Sequence, residues 1–356
     1  PLPTAMGVAN LDGEAPATHR LRTGNYLRPR ERVEAGFPEC LENLSGERKP
    51  PERISGGLRP PLREKMRAEL ARWLCRPDHP LTSRVIVNRL WQHHLGIGIV
   101  ATPNDFGAQG AKPTHPELLD YLAGELIRQG WKLKAIHRLI VTSATYRQAS
   151  SPRCNAVADK AAAVDADNKW LWHARVKRRE AEAVRDGVLQ ASGQLNPRMG
   201  GPSNCPDLPA VLRDTDYAWT PDEQPCERNR RSIYLLAKRN FAYPLFAAFD
   251  QPDRVNSCPV RPATITAPQA LTMLNGEFAL TQARHLAGLL LAKHGRAVAP
   301  LIRAAYLRAF SREPDVHEIA AAEKFLSRQT RLSDAFAAVV DFCHALLNSA
   351  EVLDVE

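Results

Sequence analysis

Residues 79–107 read HPLTSRVIVNRLWQHHLGIGIVATPNDFG, and residues 114–148 read THPELLDYLAGELIRQGWKLKAIHRLIVTSATYRQ. Apolar residues in both stretches recur at three- and four-residue intervals, the period of a half-buried helix. The first helix is expected from about Leu81 to Leu95, with Gly96 as its stop. Val87, Leu90, Trp91 and Leu95 share a face, with Ile86 at its margin and His94 in its middle. Arg84 and Asn88 lie at one edge, while Arg89 and Gln92 point away. Thr114 and Glu117 have the spacing of a capping box for the next helix, which Gly130 ends. Leu133, Ile136 and Ile140 form the stripe of a further helix over about 133–148.

The same period extends outward. From Pro61, Leu62, Met66, Leu70 and Leu74 form one stripe until RPDHP breaks it. Helices are expected over 178–192, 298–310, 315–329 and 333–347. The stretch from Thr266 to Gly295 reads as one helix or two, with Pro268 near its start and a weak point at Gly276. RSIYLLAKR, 231–239, is the best strand candidate. The fold class is therefore mostly α: a multi-helix globular domain with a small β element near 231–239 and long Pro-rich loops. The expected organisation has three parts. Residues 1–60 form an extended arm or linker, with a short strand in THRLRTG. Residues 61–295 form the main helical domain, with a loop-rich insertion at 193–230. Residues 296–356 form a C-terminal helical subdomain packed on it.

The 356 residues carry 44% hydrophobic and 24% charged side chains, ordinary for a globular chain long enough to bury a core without disulfides. The net charge of +9 is dispersed, and no zinc-finger spacing accompanies it, which weighs against nucleic acid as a partner. None of the 7 cysteines forms C-x-x-C. Cys75 and Cys343 read as core thiols. Cys205 and Cys226 are the pair expected to join if the compartment is oxidising. No apolar run is long enough to span a membrane.

Three constellations could carry chemistry. The first is Arg84, Asn88, His93, His94, Asp105, His115 and Glu117. These types suit a binding site or acid–base work, and equally a set of buried polar groups fixing helix ends and the NDFG loop. His93 and His94 diverge by about 100° on a helix and cannot easily share one ion. H-E-x-x-H is absent, so no metal site is assigned. His137 reads as a lone helical histidine. The second is the stripe Arg178, Glu182, Arg185 and Asp186, either an ion-pair ladder or a clamp for a carboxylate or sugar. The third is Arg230–Arg231 with Asp250 and Asp253 of FDQPD, where two carboxylates at one cleft would permit glycosidase-type chemistry. No phosphate loop or nucleophile elbow is present.

NRLWQHHLGIGIVATPNDFG, THPELLDYLA, GWKLKAIHRLIVTSATYRQ, RRSIYL, FDQPDRVNSC, APQALTMLN and CHALLNSAEVL together resemble the planctomycete-specific C-terminal domain of unknown function found downstream of cytochrome-c-like domains. The resemblance runs in order from about Leu21 to the end. Leu95 stands where that family usually has Phe, and Pro262 where a second basic residue is common. The resemblance implies the C-terminal part of a large exported, extracytoplasmic protein, with its own upstream domains as partners. It implies no cofactor in this chain, any haem belonging to an upstream domain, and it passes on no catalytic residue.

Two functional expectations follow. One is a scaffold or ligand-binding module of such a multidomain protein, with polysaccharide as a ligand. The other is a carbohydrate hydrolase using His, Asp and Glu residues in a helical cleft. The second expects positions 84–117 and the acids at 182, 186, 250 and 253 to converge.

Overall fold

The computed structural model describes residues 18–23, 25–33, 66–150, 156–213 and 215–355. Contacts divide the chain into two units at Ser83 and Arg84. In the first unit, β1 (His19–Arg22) pairs antiparallel with β2 (Asn25–Arg32), and helix α1 (Met66–Leu74) follows. Most of the expected arm at 1–60, the helix start at Pro61 and Leu62, Cys40 and Cys154 lie outside the described residues. Leu70 and Leu74 of α1 are exposed, and so is Cys75, which is not the core thiol its apolar surroundings suggested.

The second unit is mostly helical, as the periodicity predicts. α2 (Thr82–Leu95), α3 (Pro116–Arg128) and α4 (Leu133–Val141) come first, followed by α5 (Ala156–Val164). Val87, Trp91 and Leu95 of α2 pack with Ile99, Val100, Leu119, Leu122, Leu126, Ile136 and Ile140 in one core. Burying each of the large aliphatic residues contributes about 2 kcal/mol. α4 stops seven residues before the expected end. The reason is local: the Thr142 hydroxyl donates to the Arg138 carbonyl at 2.8 Å and the Ser143 hydroxyl to the Ile140 carbonyl at 2.7 Å. Hydroxyls bonded back in this way compete with the helical ladder. Thr114 does not cap α3. The N-cap is His115, and the Thr114 hydroxyl is directed at the Ile99 carbonyl and the His115 ring.

A second core is built on α6 (Ala181–Ser192). Between α5 and α6 lies β3 (Lys177–Arg178). Beyond α6 come the short helices α7 (Ala210–Arg213), α8 (Pro225–Arg228) and α9 (Pro244–Ala248). α10 (Ala267–Asn275) and α11 (Glu277–His294) divide at Gly276, the expected weak point. α12 (Val298–Phe310), α13 (Val316–Gln329), α14 (Ala335–Leu347), α15 (Ala350–Leu353) and β4 (Asp354–Val355) complete the chain. Val184 and Val188 of α6, Leu286 of α11, Ile302 of α12, Cys343 of α14 and Val352 of α15 share this core. The helices of 296–356 thus bury their apolar faces together with α6 and α11. β4 pairs antiparallel with β3, drawing Arg178 out of the helix predicted to begin there.

The segment 231–239 is not a sheet strand. Ser232–Tyr234 form a 3-10 turn, and Leu235 makes a single parallel bridge with Asn204. The Asp186 carboxylate accepts from the Ser232 N–H at 2.8 Å and from its hydroxyl at 2.6 Å, which fixes the turn. Ile233, an apparent strand residue, is 76% exposed. Cys205 and Cys226 are separate free thiols. Among the described residues no helix is long and apolar enough to cross a membrane.

Candidate functional site

The first constellation does not gather at one site. Asn88 is fully buried and engaged with the backbone of Val100. Arg84 pairs with Asp120 at 2.6 Å. Asp105 accepts from the Gly107 N–H at 2.8 Å and closes the NDFG turn. His115 stacks edge-on against Trp170, and Glu117 is exposed in the first turn of α3. His94 meets His137 instead, with Nε2 of the one 2.7 Å from Nδ1 of the other. Burial pushes the His94 imidazole down from its ordinary value, and the charges of His137, Lys177 and His93 push it further. His137 is therefore not a lone residue. Among the described residues no group of three His, Cys, Asp or Glu could hold a metal ion.

The second and third constellations meet each other. Glu182 and Asp186 lie one turn apart on α6 and line a cavity of about 580 Å³. Across it stand Arg231, Gln251, Arg254 and Arg261. Arg261 grips Glu182 with both guanidinium nitrogens, at 2.7 and 3.3 Å, and Gln251 donates to the same carboxylate at 3.3 Å. Burial pushes the Glu182 carboxyl up, but the Arg261 bonds and charge outweigh it and hold the group below its ordinary value. The Arg231 guanidinium has one hydrogen-bond partner among the described residues, the Met199 sulfur at 3.9 Å.

Arg185 and Arg178 face other partners. Arg185 is 1% exposed and donates to the Arg230 and Arg228 carbonyls and the Ser232 hydroxyl. Arg178, from β3, reaches Asp354 at 3.4 Å and Gln269 at 3.2 Å. Each member of the stripe is thus engaged by tertiary partners, and Arg178 and Glu182 form ion pairs with Asp354 and Arg261.

A second cavity, of about 410 Å³, adjoins the first and shares Glu180, Pro252 and Arg261 with it. Arg89, His93, Lys177, Arg178 and Arg179 stand on its wall, with Asp250 and Phe249. Five Lys and Arg side chains, counting Arg261, thus face two carboxylates. Lys177 donates to the His93 and His94 carbonyls at the end of α2, and burial pushes its ammonium down. Asp250 sits at φ 58, in the left-handed region, which costs a non-glycine residue about 1 kcal/mol or more. Its carboxylate accepts from the Thr264 N–H and hydroxyl and from the Gln269 amide. Asp253 instead caps its own turn at Val255 and Asn256.

The two cavities adjoin as one groove: α6 and the loop 249–263 line the first, and α2, β3 and the same loop line the second. His93, Arg178, Glu182, Asp186, Arg231 and Asp250 of the sequence candidates stand on it; Arg84, Asn88, His94, Asp105 and His115 do not. Arg89, Lys177, Gln251 and Arg261 were missed. The residues facing away from the α2 core were the available signal, since Gln92 donates to the Pro259 carbonyl at 3.1 Å.

A family model described as PSD1, protein of unknown function (DUF1553), matches residues 66–326. The chain belongs to this family. The DUF1553 match takes in both walls of the groove and stops before α14, α15 and β4. No curated protein and no solved structure matches the chain.

Proposed function

We propose that this chain is a saccharide-binding module of an exported multidomain protein, working alongside upstream domains of the same polypeptide. The observation that carries this reading is the groove around Arg261, where donors and acceptors alternate over two adjoining cavities. Sugar hydroxyls both donate and accept, and ionised carboxylates, guanidinium groups and amides at fixed positions match that pattern. Glu182 and Asp186 accept; Gln251, Arg231 and Arg254 donate. The basic half suits a sugar bearing a carboxylate or another anion.

A carbohydrate hydrolase is the second reading, favoured by Glu182 and Asp186 lying on one cavity wall. Glycoside hydrolysis needs one carboxyl kept protonated. The Arg261 pairing keeps Glu182 ionised, so the carboxylate is suited to accepting hydrogen bonds rather than giving up a proton.

The test is a panel of neutral and uronate-containing oligosaccharides, followed by calorimetric titration and a reducing-end assay on the same samples. Retention without turnover, lost in Arg231→Ala and Glu182→Gln, is the expected result. Turnover abolished by Glu182→Gln would favour the hydrolase, and no retention at millimolar saccharide would overturn both readings.

A further inference from the structure

On another face of α6, a separate cavity of about 290 Å³ lies between the Pro206–Pro209 loop, Tyr243–Leu245 and the start of α11. Leu208, Leu245, Met273 and Phe278 make much of its wall apolar. Arg185 also reaches this wall. Its guanidinium is almost fully buried and is met by two carbonyls and a hydroxyl, with Nε unpartnered among the described residues. The nearest carboxylate oxygen, on Asp186, is 3.7 Å away and already takes the Ser232 N–H and O–H. The buried positive charge therefore has only a long ion pair, to a carboxylate oxygen already engaged by Ser232, where a buried cation is ordinarily paired closely.

Gln282 adds a second donor. It is 4% exposed, and its amide oxygen faces the Ser192 hydroxyl at 2.8 Å. Its NH2 has no acceptor among the described residues, and the side chain lines the cavity. The Tyr243 phenol stands on the same wall beside Arg185. Of the two carboxylates there, Asp207 is held by Arg228 at 2.9 Å, and Glu277 is exposed in the first turn of α11.

We infer that this cavity binds a small hydrophobic carboxylic acid, its apolar body among Leu208, Met273 and Phe278 and its carboxylate against Arg185 and Gln282. The volume is at the low end for ligand pockets, which sets the small size. The donors set the head group: a carboxylate accepts from both and brings a negative charge closer to Arg185 than the Asp186 oxygen at 3.7 Å. Binding here is independent of any saccharide in the groove.

The test uses octanoate, octanol and octylamine with the full chain, followed by calorimetry and thermal melting. Octanoate raises the melting temperature in a dose-dependent way, because it binds only the folded state. Octanol, lacking the charge-assisted bonds, binds about tenfold more weakly, and octylamine shows no binding. Gln282→Met keeps the volume, removes the amide and weakens octanoate about tenfold. Thr281→Phe, at a half-buried position on the wall, blocks the cavity and abolishes binding even if the Gln282 variant folds poorly. Equal binding of acid and alcohol, octanoate binding undiminished in Thr281→Phe, or no binding at millimolar octanoate would each overturn the inference.

Discussion

Asn88 holds the backbone of Val100 from both directions: its NH2 donates to the Val100 carbonyl at 3.0 Å, and its amide oxygen accepts from the Val100 N–H at 2.8 Å. A side chain that mimics a strand partner lets the segment after α2 return against the helix with its buried backbone groups paired. Gly98 makes the close approach possible, since a Cβ there would lie 2.6 Å from the Val100 carbonyl oxygen and 2.7 Å from the Asn88 amide nitrogen. Asn88→Ala strands two buried backbone groups and is expected to cost about 3 kcal/mol. Gly98→Ala should destabilise through the same contact. Urea denaturation of both variants checks this, and a shift within error for Asn88→Ala would show that the clasp contributes nothing.

The burial of His94 beside His137 makes stability depend on pH. Burial and neighbouring charges hold the His94 imidazole below the ordinary value of 6.5, so the unfolded chain takes up a proton before the folded one does. The contribution is therefore fully present above about pH 6.5 and is lost as pH falls toward the lower folded value. The melting temperature should drop between pH 7.5 and pH 5, on the order of a few degrees. His94→Gln should flatten that slope. An unchanged slope would place the proton uptake elsewhere.

Arg312 bridges Glu318 of α13 and Glu351 of α15, with four nitrogen–oxygen bonds between 2.7 and 2.8 Å. The Arg312 bonds hold the Glu318 carboxyl down to about 2 against burial that raises it. Its stabilisation is present above the ordinary value of 4.5 and disappears as pH falls through about 2. The side chains are partly exposed, so solvent screening limits Arg312→Ala to about 1 kcal/mol. Denaturation at low and high salt should show the loss shrinking as salt rises.

Cys343 lies fully buried in the α6 core, and burial pushes its thiol up to about 12. A thiol so protonated and enclosed does not attack a disulfide reagent. Exposed Cys75, Cys226 and Cys258 should label within minutes, on the order of ordinary surface thiols, and Cys343 only after unfolding. Peptide mapping of timed labelling distinguishes them. Prompt modification of Cys343 would mean that the core opens readily.

The helices were legible where packing followed the local period. Val87, Trp91 and Leu95 face the core that their spacing assigned them, and Gly276 divides α10 from α11 as its low helix propensity suggests. Errors arose where a distant partner overrode a local preference. Ile233 and Tyr234 favour extended structure, yet the Asp186 carboxylate, 46 residues away, pins Ser232 into a turn. Thr114 had capping spacing, but the Ile99 carbonyl claims its hydroxyl.

The groove was half legible. Glu182 and Asp186 stood out because their spacing puts them on one helix face. Arg261 did not, because nothing local marks a residue that becomes important only when loop 249–263 crosses α6.

The pairing of β3 with β4 also bears on how the molecule is made. Arg178 and Asp354 are 176 positions apart, whereas the core of α2, α3 and α4 closes within residues 87–140. During synthesis that early core can assemble while the rest is still being translated. The Lys177–Arg178 wall of the groove must wait until Asp354 has left the ribosomal tunnel. A nascent chain stalled before that point would carry a groove without one of its sides.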